Sequence, residues 1–151
     1  MSSDNLSDRT RKTPGGTCAG FGEAKTSESY TDLKTLLGSI GKNTRHIKML
    51  LKNQSSIANK VQSAMDKKAR TKTPLNEGQQ CIYNKFYGLY AQEGGKLQEC
   101  LVRIEYIQND LHTEKNQPFI LALLLMQRHQ YSAIDSLRRI IASGHEALSS
   151  L

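Results

Sequence analysis

The chain of 151 residues has no Trp and only three Cys and three Pro. So few cysteines, in an odd number, exclude a disulfide scaffold and are typical of a reducing compartment. The longest apolar run, from Phe119 to Met126, falls far short of the roughly 20 residues that cross a bilayer. The first residues also lack the apolar segment of a secretory signal. We therefore expect an intracellular protein, cytoplasmic or nuclear, without membrane association.

Motifs that carry chemistry are missing as well. The four histidines are dispersed, and no His-Glu-x-x-His or Cys-x-x-Cys pair supplies the ligand spacing of zinc. Gly-x-Ser-x-Gly, Gly-rich Lys-Ser/Thr loops and calcium loops are absent too. The sequence predicts no catalytic residue, no metal site and no cofactor, so we expect a non-enzymatic protein. Cys81 and Cys100 are expected to be buried free thiols.

No stretch alternates with period two for long enough to form a strand, so the fold class is predicted to be all-α. We expect a long amphipathic coiled-coil helix followed by a small three-helix bundle, with a disordered N-terminal tail. The predicted boundaries are 1–29 for the disordered tail, 30–72 for a basic coiled-coil oligomerisation helix, 73–144 for the three-helix bundle and 145–151 for a short tail.

A heptad repeat is the strongest pattern in the chain. Apolar residues between positions 33 and 65 alternate spacings of four and three, with Thr44 and Gln54 as polar seam positions. A helix from Thr31 to Arg70 would be roughly 60 Å long, whereas later helices of about 20 residues would reach only about 30 Å. The seam therefore predicts self-association, with a trimer or tetramer favoured over a dimer; the alternative is a long helix that packs within its own monomer. The predicted oligomerisation residues are Leu33, Leu37, Ile40, Ile47, Leu51, Val61 and Met65.

Breaks in the second half of the chain predict where the bundle helices begin and end. Thr73 is a good N-cap before Pro74, and Gly94-Gly95 is predicted to end that helix. Pro118 is predicted to start the last helix and Gly144 to end it. Short linkers favour antiparallel neighbours, hence a three-helix bundle over 73–144.

Positive charge is concentrated in one segment. Residues 30–72 carry ten Lys or Arg and two Asp, a net charge of +8, whereas the whole chain has a formal net charge of +7. Such a field attracts phosphate, although a solvated lysine-rich helix face explains it equally well. The candidate nucleic-acid or anion-binding residues cluster at the helix end: Lys60, Lys67, Lys68, Arg70 and Lys72. Tyr83, Tyr87 and Tyr90 share one helix, where a core position is favoured over a stacking platform.

These patterns support three hypotheses of function. The first is a self-associating helical adaptor that presents a bundle to one or more protein partners. The second is an oligomeric, sequence-nonspecific nucleic-acid-binding protein, for example a viral replication or packaging cofactor. The third is a subunit of a cytosolic hetero-oligomeric helical complex. The order of tail, multimerising helix and bundle resembles the polymerase phosphoproteins of negative-strand RNA viruses, and equally the subunits of cytosolic helical tethering complexes.

Overall fold

Three long α-helices make up the described part of the protein. The computed structural model describes the backbone of residues 21–113 and 119–151 and the side chains of 32–111 and 120–151. The helices are α1 (Phe21–Arg70), α2 (Glu77–Thr113) and α3 (Phe119–Ser150), and these described ranges contain no strand. The all-α prediction is confirmed. By internal contacts the chain divides into two units, Met1–Leu36 and Leu37–Leu151, and the second unit is a three-helix bundle.

In this bundle α1 and α3 run parallel, and α2 runs antiparallel to both. The Gln130 side-chain amide of α3 donates to the Ile40 carbonyl of α1 over 3.2 Å, and further along both helices Gly144 lies against Ile57. Two contacts show that α2 and α3 are antiparallel. Near the start of α2, Gln79 Nε2 donates to the carbonyl of Ser150 at the end of α3 over 2.8 Å. Further along α2, Glu93 contacts Ser136, which lies earlier in α3. All three helices contribute to one core cluster, formed by Val61, Phe86, Ile140 and Ala147.

The bundle corrects the predicted helix count. Residues 73–144, predicted to form three helices, form α2 and most of α3, because α2 passes through Gly94 and Gly95 without a break. Each glycine costs only about 1 kcal/mol relative to alanine in a helix. Burial of Glu93 and Leu97 on either side continues the inward face of the helix. Packing on both sides of the pair therefore outweighs the weak local preference to stop.

The end of α3 is corrected in the same way. Gly144 was predicted to close the helix and 145–151 to be a tail, but α3 continues to Ser150. Ala147 is fully buried in the core, so the last two turns are anchored by packing. Gly144 itself lies so close to its neighbours that a Cβ would stand 2.8 Å from Ile57 Cγ1 and 3.2 Å from Phe86 Cε1. Its role is close approach between helices and not termination.

The turn from α1 to α2 has a well-defined cap at each side. Lys72 adopts a left-handed conformation with φ of 54°, and Thr73 N donates to the Lys68 carbonyl over 2.9 Å. With the Lys72 N bond to the Ala69 carbonyl, this is the Schellman motif that ends many helices. The N-cap of α2 is Asn76 and not the predicted Thr73. Asn76 Oδ1 accepts from Gln79 N over 2.8 Å, and Gln79 Oε1 accepts from Asn76 N over 3.0 Å.

Most of the α1 seam is covered by the chain itself. The later helices, with 37 and 32 residues, are about 55 and 48 Å long, so the prediction that they are too short to cover the seam is wrong. Ile40, Ile47 and Val61 are buried in the monomer. These three residues pack within the molecule, whereas the seam positions Leu37, Leu51 and Met65 are exposed or half-buried, and Leu50 and Ile57 are buried instead.

The predicted N-terminal tail is only partly tested. Residues 1–20 lie outside the described part of the chain. Residues 21–29, predicted to be disordered, belong to α1, whose backbone is helical from Phe21. Glu23, Ala24 and Lys25 are favourable helix formers, which explains why the helix begins earlier than its apolar repeat.

Candidate nucleic-acid interface

The outer face of α1 presents a row of cations. At about 100° per residue, six basic side chains in the part of α1 that belongs to the second unit fall within an arc of about 80°, nearly opposite the buried seam. From first to last they extend along about 42 Å of helix. We call this set the basic face, and its members are Lys42, Arg45, Lys52, Lys60, Lys67 and Arg70, all of them exposed.

Among the described side chains, no residue of the basic face takes part in an ion pair, whereas cations of α2 and α3 do so with Glu93, Glu99 and Glu146. Asp66 lies at the edge of the basic face toward α2 and accepts a hydrogen bond from Gln62 over 3.0 Å. The face therefore offers a linear, uncompensated positive potential to solvent.

The residues of the predicted anion-binding cluster do not all lie on the basic face. Lys60, Lys67 and Arg70 lie on the basic face, whereas Lys68 is half-buried on the adjoining side of α1. Lys72 lies beyond the helix, in the Schellman turn. Lys42, Arg45 and Lys52 lie on the same face, although they do not belong to the predicted cluster. The angle of each cation around the helix axis, at 100° per residue, can be calculated from the sequence. These residues share that angle, although they are far apart along the chain.

A groove of about 480 Å³ lies between α1 and α2, beside the basic face. We call it the tyrosine groove, since Tyr83, Tyr87 and Tyr90 line it from α2, while Asn59 and Gln62 line it from α1. Tyr87 is 58% exposed and Tyr90 37% exposed. The ring centroids of Tyr83 and Tyr87 are 5.7 Å apart, with the planes tilted by 58°. The expectation that these tyrosines are core residues therefore fails for Tyr87 and Tyr90.

The floor of the tyrosine groove is apolar. Val61 and Phe86, both buried core residues, also line the groove. Burial raises the pKa of the Tyr83 hydroxyl above its ordinary value of 10.0, and the neighbouring Tyr87 and Asp66 raise that pKa further. The groove thus combines flat aromatic faces, an apolar base, and amide groups able to donate and accept hydrogen bonds.

The comparisons with known proteins add no family to this geometry. No protein-family model, curated protein or solved structure matches the chain.

A second surface lies between the other pair of helices. A groove of about 660 Å³ runs between the later part of α2 and the start of α3. We call it the α2–α3 groove; Val102, Tyr106 and Leu125 line it, and the neighbouring Leu121 is 67% exposed. His129 is also part of its lining, and burial lowers the pKa of that imidazole, with Arg103 and Arg128 lowering it further. The imidazole is therefore neutral at pH 7, and the surface is mainly apolar.

The predicted oligomerisation residues do not form one exposed surface. Ile40, Ile47 and Val61 lie in the core of the bundle, and Leu51 and Met65 are half-buried. Leu37 is 45% exposed, and Leu33, in the first unit, is half-buried. Thr44, predicted as a polar seam position, donates to the Ile40 carbonyl over 2.8 Å and accepts from Gln130 Nε2 over 3.0 Å.

A buried carboxylate is the main polar feature inside the bundle. The Glu93 side chain is only 4% exposed, and its Oε1 accepts from Ser136 Oγ over 2.8 Å and from Arg139 Nη1 over 3.4 Å. Lys96 Nζ lies 3.4 Å from Oε2. The hydroxyl of Ser136 is the main cause that lowers the pKa of Glu93, and the two cations add to it against the effect of burial. This network joins α2 to α3.

The described residues contain neither a metal-binding cluster nor a helix that could span a membrane. No group of three or more His, Cys, Asp or Glu side chains in that part of the chain is arranged to hold a metal ion. None of the described helical segments is sufficiently apolar and long to span a bilayer.

Proposed function

We propose that the protein is a non-enzymatic nucleic-acid-binding protein that holds the phosphate backbone along the basic face of α1. The observation that carries this proposal is the alignment of Lys42, Arg45, Lys52, Lys60, Lys67 and Arg70 on one side of a rigid helix without a single compensating ion pair among the described residues. Outside residues 30–72 the sequence carries a net charge of −1, since eleven basic residues meet twelve acidic ones.

The arrangement supports binding that does not depend on base sequence. Lysine and arginine side chains on a helix contact phosphates as charges, and phosphate contacts position a protein without reading bases. Each neutralised phosphate releases counterions, so the logarithm of the affinity falls linearly with the logarithm of the salt concentration. Six contacts along α1 correspond to a slope of about −4 on single strands and about −5 on duplex DNA.

A charge-neutralisation series tests this proposal. Arg45→Gln, Lys52→Gln and Lys60→Gln, combined in one variant, remove three charges from the basic face and leave the core untouched. The matched control removes three exposed charges elsewhere, through Lys85→Gln, Arg128→Gln and Arg138→Gln. Binding of a labelled oligonucleotide is measured by fluorescence anisotropy between 50 and 300 mM salt.

The two variants are expected to differ in salt dependence as well as affinity. The basic-face variant should lose about two units of the salt slope, because three phosphate contacts are gone. The control should keep the slope of the unmodified protein. Equal losses in both variants would show that net charge alone attracts the nucleic acid, and binding without salt dependence would reject the proposal.

A second candidate function is self-association, and the α2–α3 groove is the observation that favours it. Leu121 is 67% and Tyr106 71% exposed, and both belong to one apolar surface of the bundle. Exposed apolar surfaces of this kind mark interaction sites. The rim carries both signs, since Glu99 and Arg103 are neighbours there and are joined over 3.1 Å. A two-fold interface brings the same patch of both subunits together, and a patch with both signs permits this without like-charge repulsion, so we propose a second copy of the chain as its occupant.

Light scattering at increasing protein concentration tests the second candidate. Leu121→Glu should lower the mass of the assembly to that of a monomer, because a buried carboxylate at the interface is unfavourable. Met49→Glu, on the exposed side of α1, is the control and should leave the mass unchanged. A wild-type protein that stays monomeric at all concentrations would contradict this proposal and, equally, the trimer or tetramer predicted from the α1 seam.

A further inference from the structure

The tyrosine groove runs beside the basic face, and the two features share α1. Asn59, at the edge of the groove, lies two helical turns after Lys52 and directly before Lys60. At 1.5 Å per residue, Lys52 is about 10 Å away along the helix axis. A nucleotide whose base entered the groove would therefore keep its phosphates within reach of cations on the outer side of α1.

The aromatic content of the groove matches the flat face of a nucleobase. The rings of Tyr83 and Tyr87 are neighbours at 5.7 Å, and Phe86 and Tyr90 form a second pair with the same separation. Tyr87 and Tyr90 keep 58% and 37% of their surface open to solvent. A stacked base contributes about 1–3 kcal/mol of binding, and every base has a face suited to stacking.

The polar groups of the rim define how a base would be held. Asn59 and Gln62 carry amides that donate and accept, so they match the hydrogen-bonding edges of any base. Asp66 accepts from Gln62 at one end of the groove and repels phosphate there. The phosphates are accordingly expected on the side of Lys52 and Lys60, away from Asp66.

We infer that the tyrosine groove binds unpaired nucleobases, so that the protein prefers single-stranded over double-stranded nucleic acid. This inference rests on the proposed function, because the groove alone offers no charge to hold a phosphate backbone. In a duplex the bases are stacked on each other and inaccessible to the tyrosines, and only the basic face would contact the phosphates. In a single strand, stacking and phosphate contacts add together.

Three probes separate the contributions. A labelled 12-residue oligothymidylate supplies bases and phosphates, a duplex of equal length supplies phosphates with paired bases, and heparin supplies negative charge without any base. Affinities are measured for the unmodified protein, the double variant Tyr87→Leu/Tyr90→Leu, and the control Tyr106→Leu. Tyr106 is an exposed tyrosine of the same helix that lines the α2–α3 groove instead.

The double variant is expected to bind oligothymidylate at least about tenfold more weakly, the equivalent of about 1.4 kcal/mol from the loss of stacking. Its affinity for heparin and its salt slope should not change, because the basic face is intact. The control should resemble the unmodified protein with all three probes. Because the replaced tyrosines are partly exposed and leucine is apolar, circular dichroism should show the same helix content in all variants.

Tyrosine emission gives an independent measurement, since the chain has six Tyr and no Trp. Unlabelled oligothymidylate should quench the emission of the unmodified protein, and the double variant should lose that part of the quenching which comes from Tyr87 and Tyr90. Unchanged oligothymidylate affinity in the double variant, or duplex binding as tight as single-strand binding, would overturn the inference while leaving the proposed function standing. Absence of salt-dependent binding to all three probes would instead overturn the proposed function.

Discussion

Gly144 of α3 lies directly against Ile57 of α1, so that a Cβ on Gly144 would stand 2.8 Å from Ile57 Cγ1 and 3.0 Å from Cγ2. Real Cβ atoms do not approach a branched side chain so closely, and Ile57 is itself buried. The contact shows that α1 and α3 approach closely at the core cluster of the bundle. Close approach, and not chain reversal, is the reason for glycine at this position.

Gly144→Ala is therefore expected to destabilise the protein by about 1–3 kcal/mol, as overpacking of a core does. Gly94→Ala is the matched control, because a Cβ on Gly94 meets nothing within 4 Å, and there alanine should stabilise the helix by about 0.5–1 kcal/mol. Urea unfolding measures both changes. In the double variant Gly144→Ala/Ile57→Ala the total loss should be smaller than the sum of the single losses, and additive losses would contradict the close contact.

Glu93→Gln tests the buried carboxylate that joins α2 to α3. The pKa of Glu93 is lowered in the folded protein, so its charged form contributes stability above the ordinary value of 4.5 and loses it as the pH falls through the folded-state pKa. At pH 7 the substitution should cost about 1–3 kcal/mol, because charge-assisted hydrogen bonds to Ser136 and Arg139 are weakened. Urea midpoints between pH 7 and pH 3 should show the difference from wild type narrowing on acidification.

The exposed carboxylate of Glu99 provides the control for that series. It pairs with Arg103 over 3.1 Å, but its side chain is 65% exposed. Glu99→Gln should change the unfolding free energy by less than about 1 kcal/mol at neutral pH. If the difference in urea midpoint between Glu93→Gln and the wild type stays constant or widens toward pH 3, the assigned direction of the Glu93 pKa shift is contradicted.

Lys72→Gly is expected to stabilise the turn between α1 and α2. Lys72 holds a φ of 54°, where residues with a Cβ are strained by about 1–2 kcal/mol. Glycine removes that strain but loses more conformational entropy on folding, so the net gain should be about 0.5–1 kcal/mol. Lys72→Ala removes the same charge while keeping a Cβ, and it should give no gain. Thermal unfolding of both variants decides between strain and charge as the cause.

Thiol reactivity should distinguish the two described cysteines. Cys81 is exposed, contrary to the expectation of a buried thiol, whereas Cys100 is buried between the helices. In a Cys18→Ser background, one thiol should react with Ellman's reagent in the native protein and the other only after denaturant is added. Cys81→Ser should abolish the native reaction. A fast native reaction that persists in the Cys81→Ser variant would place Cys100 at the surface.

Three buried positions of α1 could be predicted from the heptad repeat, but the helices that cover them could not. Ile40, Ile47 and Val61 are buried, as a heptad repeat requires. The repeat is satisfied equally by a second copy or by helices of the same chain, and only the lengths of those helices decide. Those lengths were underestimated because Gly94-Gly95 was interpreted as a terminator, although the buried positions on either side continue the same face.

Only part of the candidate interface could be predicted from the sequence, for a related reason. The concentration of charge on α1 is visible in the sequence, and the angular spacing of Lys42, Lys60 and Lys67 could have been calculated from it. The exposure of Tyr87 and Tyr90 could not, because it depends on how far α1 covers α2. Spacing along a helix predicts which residues share a face, whereas the groove is a property of two helices together.

The hydrogen bond from Gln79 to the Ser150 carbonyl holds the last turn of α3 beside the first turn of α2. A dye attached at this end of the chain, for example through Leu151→Cys, would thus report from a fixed position close to the corner where α1 gives way to α2. Energy transfer to a dye on an oligonucleotide end could then reveal the polarity with which a strand lies along the protein. Because the end of α3 is fixed, a distance measured from it gives the orientation of a bound strand.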